Sequence, residues 1–134
     1  MKIWFDGGCR PNPGPIATAV FTGGQAHLRH DHPPGDNADA EWLAALDALA
    51  LAARLGLTEV ILIGDSRMVI DQASGRAPRV PPRFAGHLAQ FQTLAAGFAR
   101  LRLRHVLRSH NLAGIALERA MDRIVGICQD IPRA

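Results

Sequence analysis

Cysteine is scarce: only Cys9 and Cys128 occur in the 134 residues. Two are too few to staple a small secreted fold, so a reduced, cytoplasmic setting is expected. No run of about 18 apolar residues is present, so no membrane partner is expected. Met1 and Lys2 lead straight into strand-forming residues, without the charged-then-apolar pattern of a signal peptide. Lysine is nearly missing as well, since Lys2 is the only one among 15 Lys and Arg residues. The positive charge is therefore carried by arginine, whose planar fork suits phosphate oxygens. A net charge of +3 and a pI near 9.6 lean towards a polyanionic partner. A coding bias towards Arg and Ala would give the same numbers. Neither an internal repeat nor a Pro/Gly/Ser-rich linker divides the chain, so residues 1–134 read as one domain. With 48% apolar and 20% charged residues, a real core and a monomer are expected.

What is present is organised around the first fifteen residues. Ile3, Trp4 and Phe5 favour a strand, and Asp6 closes it. Gly7 and Gly8 follow, then a Pro-Asn-Pro-Gly-Pro run that reads as a sharp, stiff turn. A carboxylate at the end of a buried strand is costly unless a cation or a donor meets it. Glycines beside it let another group approach the backbone closely. The plainer alternative is a strand ending in an Asp that caps a turn.

The first strand is expected over residues 2–7, with further strands over 16–22 and 25–30 joined by Gly23-Gly24, a hairpin signal. His27, His30, Asp31 and His32 resemble a metal cluster in composition, but His27 and His30 would point to opposite faces of a strand. A helix begins near Asp36 or Asn37, both good N-caps, and stops at Gly56. Trp42, Ala45, Leu46, Leu49 and Ala53 keep helical spacing and should face the core. Glu41 lies early in this helix, where the dipole alone favours a carboxylate. The Val60-Ile61-Leu62-Ile63 run reads as a strand buried on both faces, ending at Gly64. Asp65 and Ser66 then open a second helix, Asp65 being either an N-cap or a ligand-facing acid. Residues 75–83 form an irregular connection bearing Arg76, Arg79 and Arg83, and a helix over 84–98 packs Phe84, Leu88, Phe91 and Leu94. A fifth strand over 100–107 alternates leucine with arginine, and Asn111 caps a last helix running to about Cys128.

Three stretches taken together resemble one family. They are Asp6-Gly7-Gly8 followed by Asn12-Pro13-Gly14-Pro15, then Asn37 with Glu41 at a helix start, then a strand ending in Asp65-Ser66. In this order the chain resembles the type-I ribonuclease H enzymes along essentially its whole length. The resemblance implies an α/β fold: a five-stranded mixed sheet, three strands antiparallel and two parallel, with helices on both faces. It implies an endonuclease that hydrolyses the RNA strand of RNA/DNA hybrids to 5′-phosphate and 3′-hydroxyl ends. Asp6, Glu41 and Asp65 would be catalytic and would hold up to two ions of Mg²⁺ or Mn²⁺, hard cations that prefer oxygen donors. Gly7, Gly8, Cys9, Asn12 and Asn37 match positions near the RNA strand, where the 2′-hydroxyl separates RNA from DNA. A second family Asn beside Asn37 is replaced by Ala38. His110 loosely matches a family histidine ahead of the last helix, and Asn111 joins it as a substrate-side candidate.

One departure is larger. The family carries a fourth carboxylate four residues after the helix-opening Asn, and counting from Asn111 puts Ile115 there. Residues 115, 118 and 122 share a helical face, so Glu118, about 4.5 Å further along the axis, is the candidate replacement metal ligand, with Mn²⁺ expected to serve better than Mg²⁺. The alternative is a catalytically weakened or inactive hybrid-binding protein on the same fold. A different phosphate-handling enzyme is a third option, because a fold alone does not fix function.

Overall fold

A computed structural model describes the backbone of residues 1–130 and the side chains of residues 1–123. The strands are β1 (Lys2–Cys9), β2 (Ile16–Thr22), β3 (Gln25–Arg29), β4 (Glu59–Gly64) and β5 (Arg100–His105). The α-helices are α1 (Asn37–Arg54), α2 (Arg67–Ser74), α3 (Ala85–Ala95) and α4 (Leu112–Asp130). Short 3₁₀ turns at Pro82–Phe84 and Arg108–His110 lead into α3 and α4. The sheet order is β3-β2-β1-β4-β5. β1, β2 and β3 form the expected antiparallel meander, while β4 runs parallel to β1 and β5 parallel to β4.

Gly23 and Gly24 both take positive φ, as a two-residue hairpin turn requires. β1 extends past the expected residue 7, because Gly8 and Cys9 still pair with Ala17 and Ile16. β5 stops at His105, two residues early, since the chain turns at Leu107 into the 3₁₀ turn. β3 and β5 are the two edges, and the exposed Arg100, Arg102 and Arg104 on β5 discourage pairing with another sheet.

Strand alternation sends two sets of side chains to opposite faces. Ile3, Phe5, Val20, Val60 and Leu62 meet Trp42, Leu46 and Leu49 of α1, with Val69, Ile70, Phe84 and Phe91 completing this core. Trp4, Ala17, Ala19 and Phe21 face the other way, onto Ala113 and Leu117 of α4. Trp42, Ala45, Leu46 and Leu49 are buried as their spacing predicts, but Ala53 is exposed, and Ala52, three residues after Leu49, takes its place. Asp36 is the N-cap of α1 and forms a reciprocal capping box with Asp39. The buried Trp42 indole donates to Gln72 Oε1 at 3.0 Å, tying α1 to α2 without an unpaired polar atom.

Gly7 sets the distance between β1 and α1. A Cβ at that position would sit 2.1 Å from the carbonyl oxygen of Ala40, so only a bare backbone lets the helix lie this close. Glu41 follows Ala40 directly, and Asp6 precedes Gly7. One close approach therefore sets two of the chain's acids side by side.

Candidate active site

Asp6 stands on the central strand, Asp65 directly after the end of its parallel neighbour β4, and Glu41 in the first turns of α1. One carboxylate oxygen from each falls within 4.8 Å of the others, and all three residues are half-buried. Burial pushes the Asp6 carboxyl up to about 7, with Asp65 and Glu41 adding to the rise and Arg108 and the Gly7 amide opposing it. Burial also raises Glu41; a hydrogen bond with Ser66 works against this, Asp65 reinforces it and Arg108 opposes it. Three half-buried carboxylates in one place call for a compensating cation. Their hard oxygen donors fit Mg²⁺ or Mn²⁺. Among the described residues this is the group of acidic, histidine and cysteine side chains close enough to share a metal ion.

The acids open into a cavity of about 360 Å³. Its rim carries Gly7, Gly8, Cys9 and Asn37, which the sequence had marked, and Arg10 and Arg108, which it had not. Asn37 Oδ1 accepts from the Cys9 amide at 3.0 Å, and Asn12 Oδ1 accepts from the Asn37 amide at 3.2 Å. Asn12 thus braces the turn against α1 from outside the cavity lining. A reciprocal pair of backbone hydrogen bonds between Gly14 and Gly35 adds a second brace.

Several sequence-based expectations change here. Asn111 is fully buried rather than turned to a substrate: its amide nitrogen donates to Phe5 O at 3.0 Å and to Asp65 Oδ2 at 3.1 Å. Its Oδ1 accepts from the Ala113 amide, so the same side chain starts α4 and holds the Asp65 carboxylate. His110 is exposed and lies outside the cavity lining, while Arg108, two residues earlier in the same turn, faces the acids. Arg83 pairs with Asp36 at 2.8 Å and lies over the Phe84 ring, which occupies it structurally. His32 is buried against Asp47, at 2.7 Å, and Thr18, at 3.1 Å, in a polar cluster that anchors the β3–α1 connection.

On α4, Gly114 lies close to the acids: a Cβ there would lie 3.3 Å from Asp6 Oδ2. Ile115 is 37% exposed and does not line the cavity. Glu118 does line it. No sequence signal gave the rotation of α4 about its axis, and Arg108 carries no motif of its own.

The chain matches the reverse transcriptase-like family over residues 21–119. A bifunctional protein of Mycobacterium tuberculosis is 33% identical over 117 residues, covering 83% of this chain and 32% of that protein. The chain thus spans about a third of the length of the mycobacterial relatives it matches. Ribonuclease HI of Halobacterium salinarum is 32% identical over 124 residues, 87% of this chain and 61% of the relative. The crystal structure of ribonuclease H1 from that archaeon superposes with a TM-score of 0.80 at 29% identity, covering 91% of this chain and 97% of the other. The N-terminal ribonuclease H domain of the mycobacterial protein gives a TM-score of 0.74 at 31% identity, over 87% of this chain and 93% of that one. A ribonuclease H1 isolated from compost, 23% identical and solved in complex with an RNA/DNA hybrid, shares the fold with a TM-score of 0.76 over 92% of this chain and 98% of its own.

Proposed function

The chain is a ribonuclease H-type domain of the reverse transcriptase-like family, and from that footing we propose that it hydrolyses the RNA strand of RNA/DNA hybrids, with divalent cations, to 5′-phosphate and 3′-hydroxyl ends. The observation that carries the reading is the convergence of Asp6, Glu41 and Asp65 within 4.8 Å. A pure binder of a polyanion gains nothing from clustered acids at its binding cavity.

Each side chain has a task in this scheme. Asp6, Glu41 and Asp65 would hold one or two ions of Mg²⁺ or Mn²⁺, which when bound supply Lewis-acid assistance to phosphodiester hydrolysis. Asn111 keeps the Asp65 carboxylate in place through its 3.1 Å hydrogen bond. Arg108 and Arg10, lining the same cavity, offer guanidinium groups to phosphate oxygens beside the acids. Gly8 and the exposed Asn37 line the cavity where ribose 2′-hydroxyls of the RNA strand would pass, while Cys9, buried with its amide bonded to Asn37 Oδ1, holds Asn37 in place.

The test is cleavage of an end-labelled RNA/DNA hybrid with Mg²⁺, with Mn²⁺ and with chelator. RNA-strand cuts bearing 5′-phosphates are expected only with a divalent cation, and Asp65→Asn should abolish them while leaving the circular dichroism spectrum intact. Equal cleavage by folded Asp65→Asn protein would remove the metal-site reading. Gly114, where a fourth carboxylate could have stood, favours a second reading: a hybrid-binding protein with weakened or lost catalysis. Tight hybrid binding without cuts under any divalent cation would select it.

A further inference from the structure

We propose that Glu118 supplies the carboxylate that Gly114 leaves out, reaching back along α4 to the ion-binding cluster of Asp6, Glu41 and Asp65. This rests on the metal-dependent reading above and extends its ligand set.

Position on the helix comes first. Gly114, Glu118 and Asp122 recur every four residues and so form one row along α4. One end of that row lies beside Asp6 and the other beside Arg10. At one end, a Cβ on Gly114 would lie 3.3 Å from Asp6 Oδ2. At the other, Asp122 pairs with Arg10 at 3.5 Å, and Arg10 itself lines the cavity. Glu118 lies between them on the same row and lines the same cavity.

Reach and space come next. A helical side chain leans towards the helix N-terminus and covers the turn before its own Cα. For Glu118 that turn contains Gly114, whose missing side chain leaves a notch beside Asp6. A carboxylate on a two-methylene arm starts about 6 Å along the axis from Gly114 and points back towards it. An Asp at 114 would start next to Asp6, whereas a Glu at 118 approaches from one turn away. None of the ion pairs among the described residues engages Glu118, so its charge is not committed elsewhere.

The experiment is a calorimetric Mn²⁺ titration of the whole chain, without nucleic acid. Wild-type protein is compared with Glu118→Gln, Glu118→Asp, the double variant Glu118→Gln/Gly114→Asp, and Asp6→Asn. Glu118→Gln is expected to weaken Mn²⁺ binding by about tenfold or more, or to remove one bound ion per chain. Glu118→Asp keeps the charge on a shorter arm and should fall with it. Gly114→Asp should recover most of the affinity in the Glu118→Gln background. An unchanged isotherm for Glu118→Gln overturns the proposal. So does wild-type affinity for Glu118→Asp alongside a weakened Glu118→Gln, since that pattern marks a general field effect. Should wild type bind Mn²⁺, Asp6→Asn lose it and Glu118→Gln match wild type, only this inference fails. Should wild type not bind Mn²⁺ at all, the three-carboxylate reading fails with it.

Discussion

Asp6 is where the cost of the site concentrates. Its carboxyl is raised from 3.8 to about 7, first by burial and then by Asp65 and Glu41. In metal-free protein the folded state therefore holds a proton that the unfolded state releases between those two values. Folding takes up that proton, so stability falls as pH rises through the window and stays lost above it. The loss is on the order of 4 kcal/mol at about 1.4 kcal/mol per pH unit. Asp6→Asn should thus raise the melting temperature in chelator at pH 8 by at least about 5 °C and change it little at pH 4. An equal shift at both pH values would show that the carboxylate is not strained. Asn111 makes the opposite case, a polar group whose bonds are all satisfied. Asn111→Leu removes the donor to Phe5 O and Asp65 Oδ2, leaving a buried carbonyl unpaired. A loss of about 1–3 kcal/mol in urea unfolding is expected, together with weaker cleavage because Asp65 is no longer held.

Among the elements, the β1–α1 contact decides whether the acids meet at all. Gly7→Ala introduces a Cβ into a space 2.1 Å from Ala40 O, against backbone that cannot rotate away. The strand and the helix must separate, at a cost of about 1–3 kcal/mol by analogy with overpacked cores. Glu41 should move with the helix, so Mn²⁺ affinity is expected to fall along with stability. Gly8→Ala is the matched control, because its nearest neighbour to an added Cβ is Asn37 Oδ1 at 3.9 Å. Its melting temperature should stay close to wild type. Equal destabilisation by both changes would mean that the close approach at Gly7 does not set the helix position.

At the scale of the whole molecule, the protein carries a net charge of +3, almost all of it on arginine, with Arg10 and Arg108 at the cavity. Such groups hold phosphates without reading bases. Hybrid affinity, measured with chelator present to prevent cutting, should fall by about tenfold or more between 50 and 200 mM salt. It should differ little between hybrids of unrelated sequence. A flat salt response would point away from backbone phosphates as the main contacts.

The order of strands and helices, the Gly23-Gly24 hairpin, the buried β4 and the three acids could all be read from the chain itself. Each depends on local rules: residue alternation, caps, turn glycines and a carboxylate at the end of an apolar run. Burial along α1 was legible to within one residue, failing only where Ala52 replaces Ala53 at the end of the stripe. Tertiary structure decided what local rules do not reach. Arg108 and Asn111 take their roles from elements far away in sequence, Arg108 beside Asp6 and Asn111 bonded to Phe5 and Asp65. The same holds for His32, whose partners Thr18 and Asp47 come from β2 and α1. Gly114 rather than Ile115 faces Asp6 because the rotation of α4 is set by seating Ala113, Leu117 and Ala120 in the buried layer. Each residue turns a helix by about 100°, so neighbouring positions aim in quite different directions, and only packing fixes that angle.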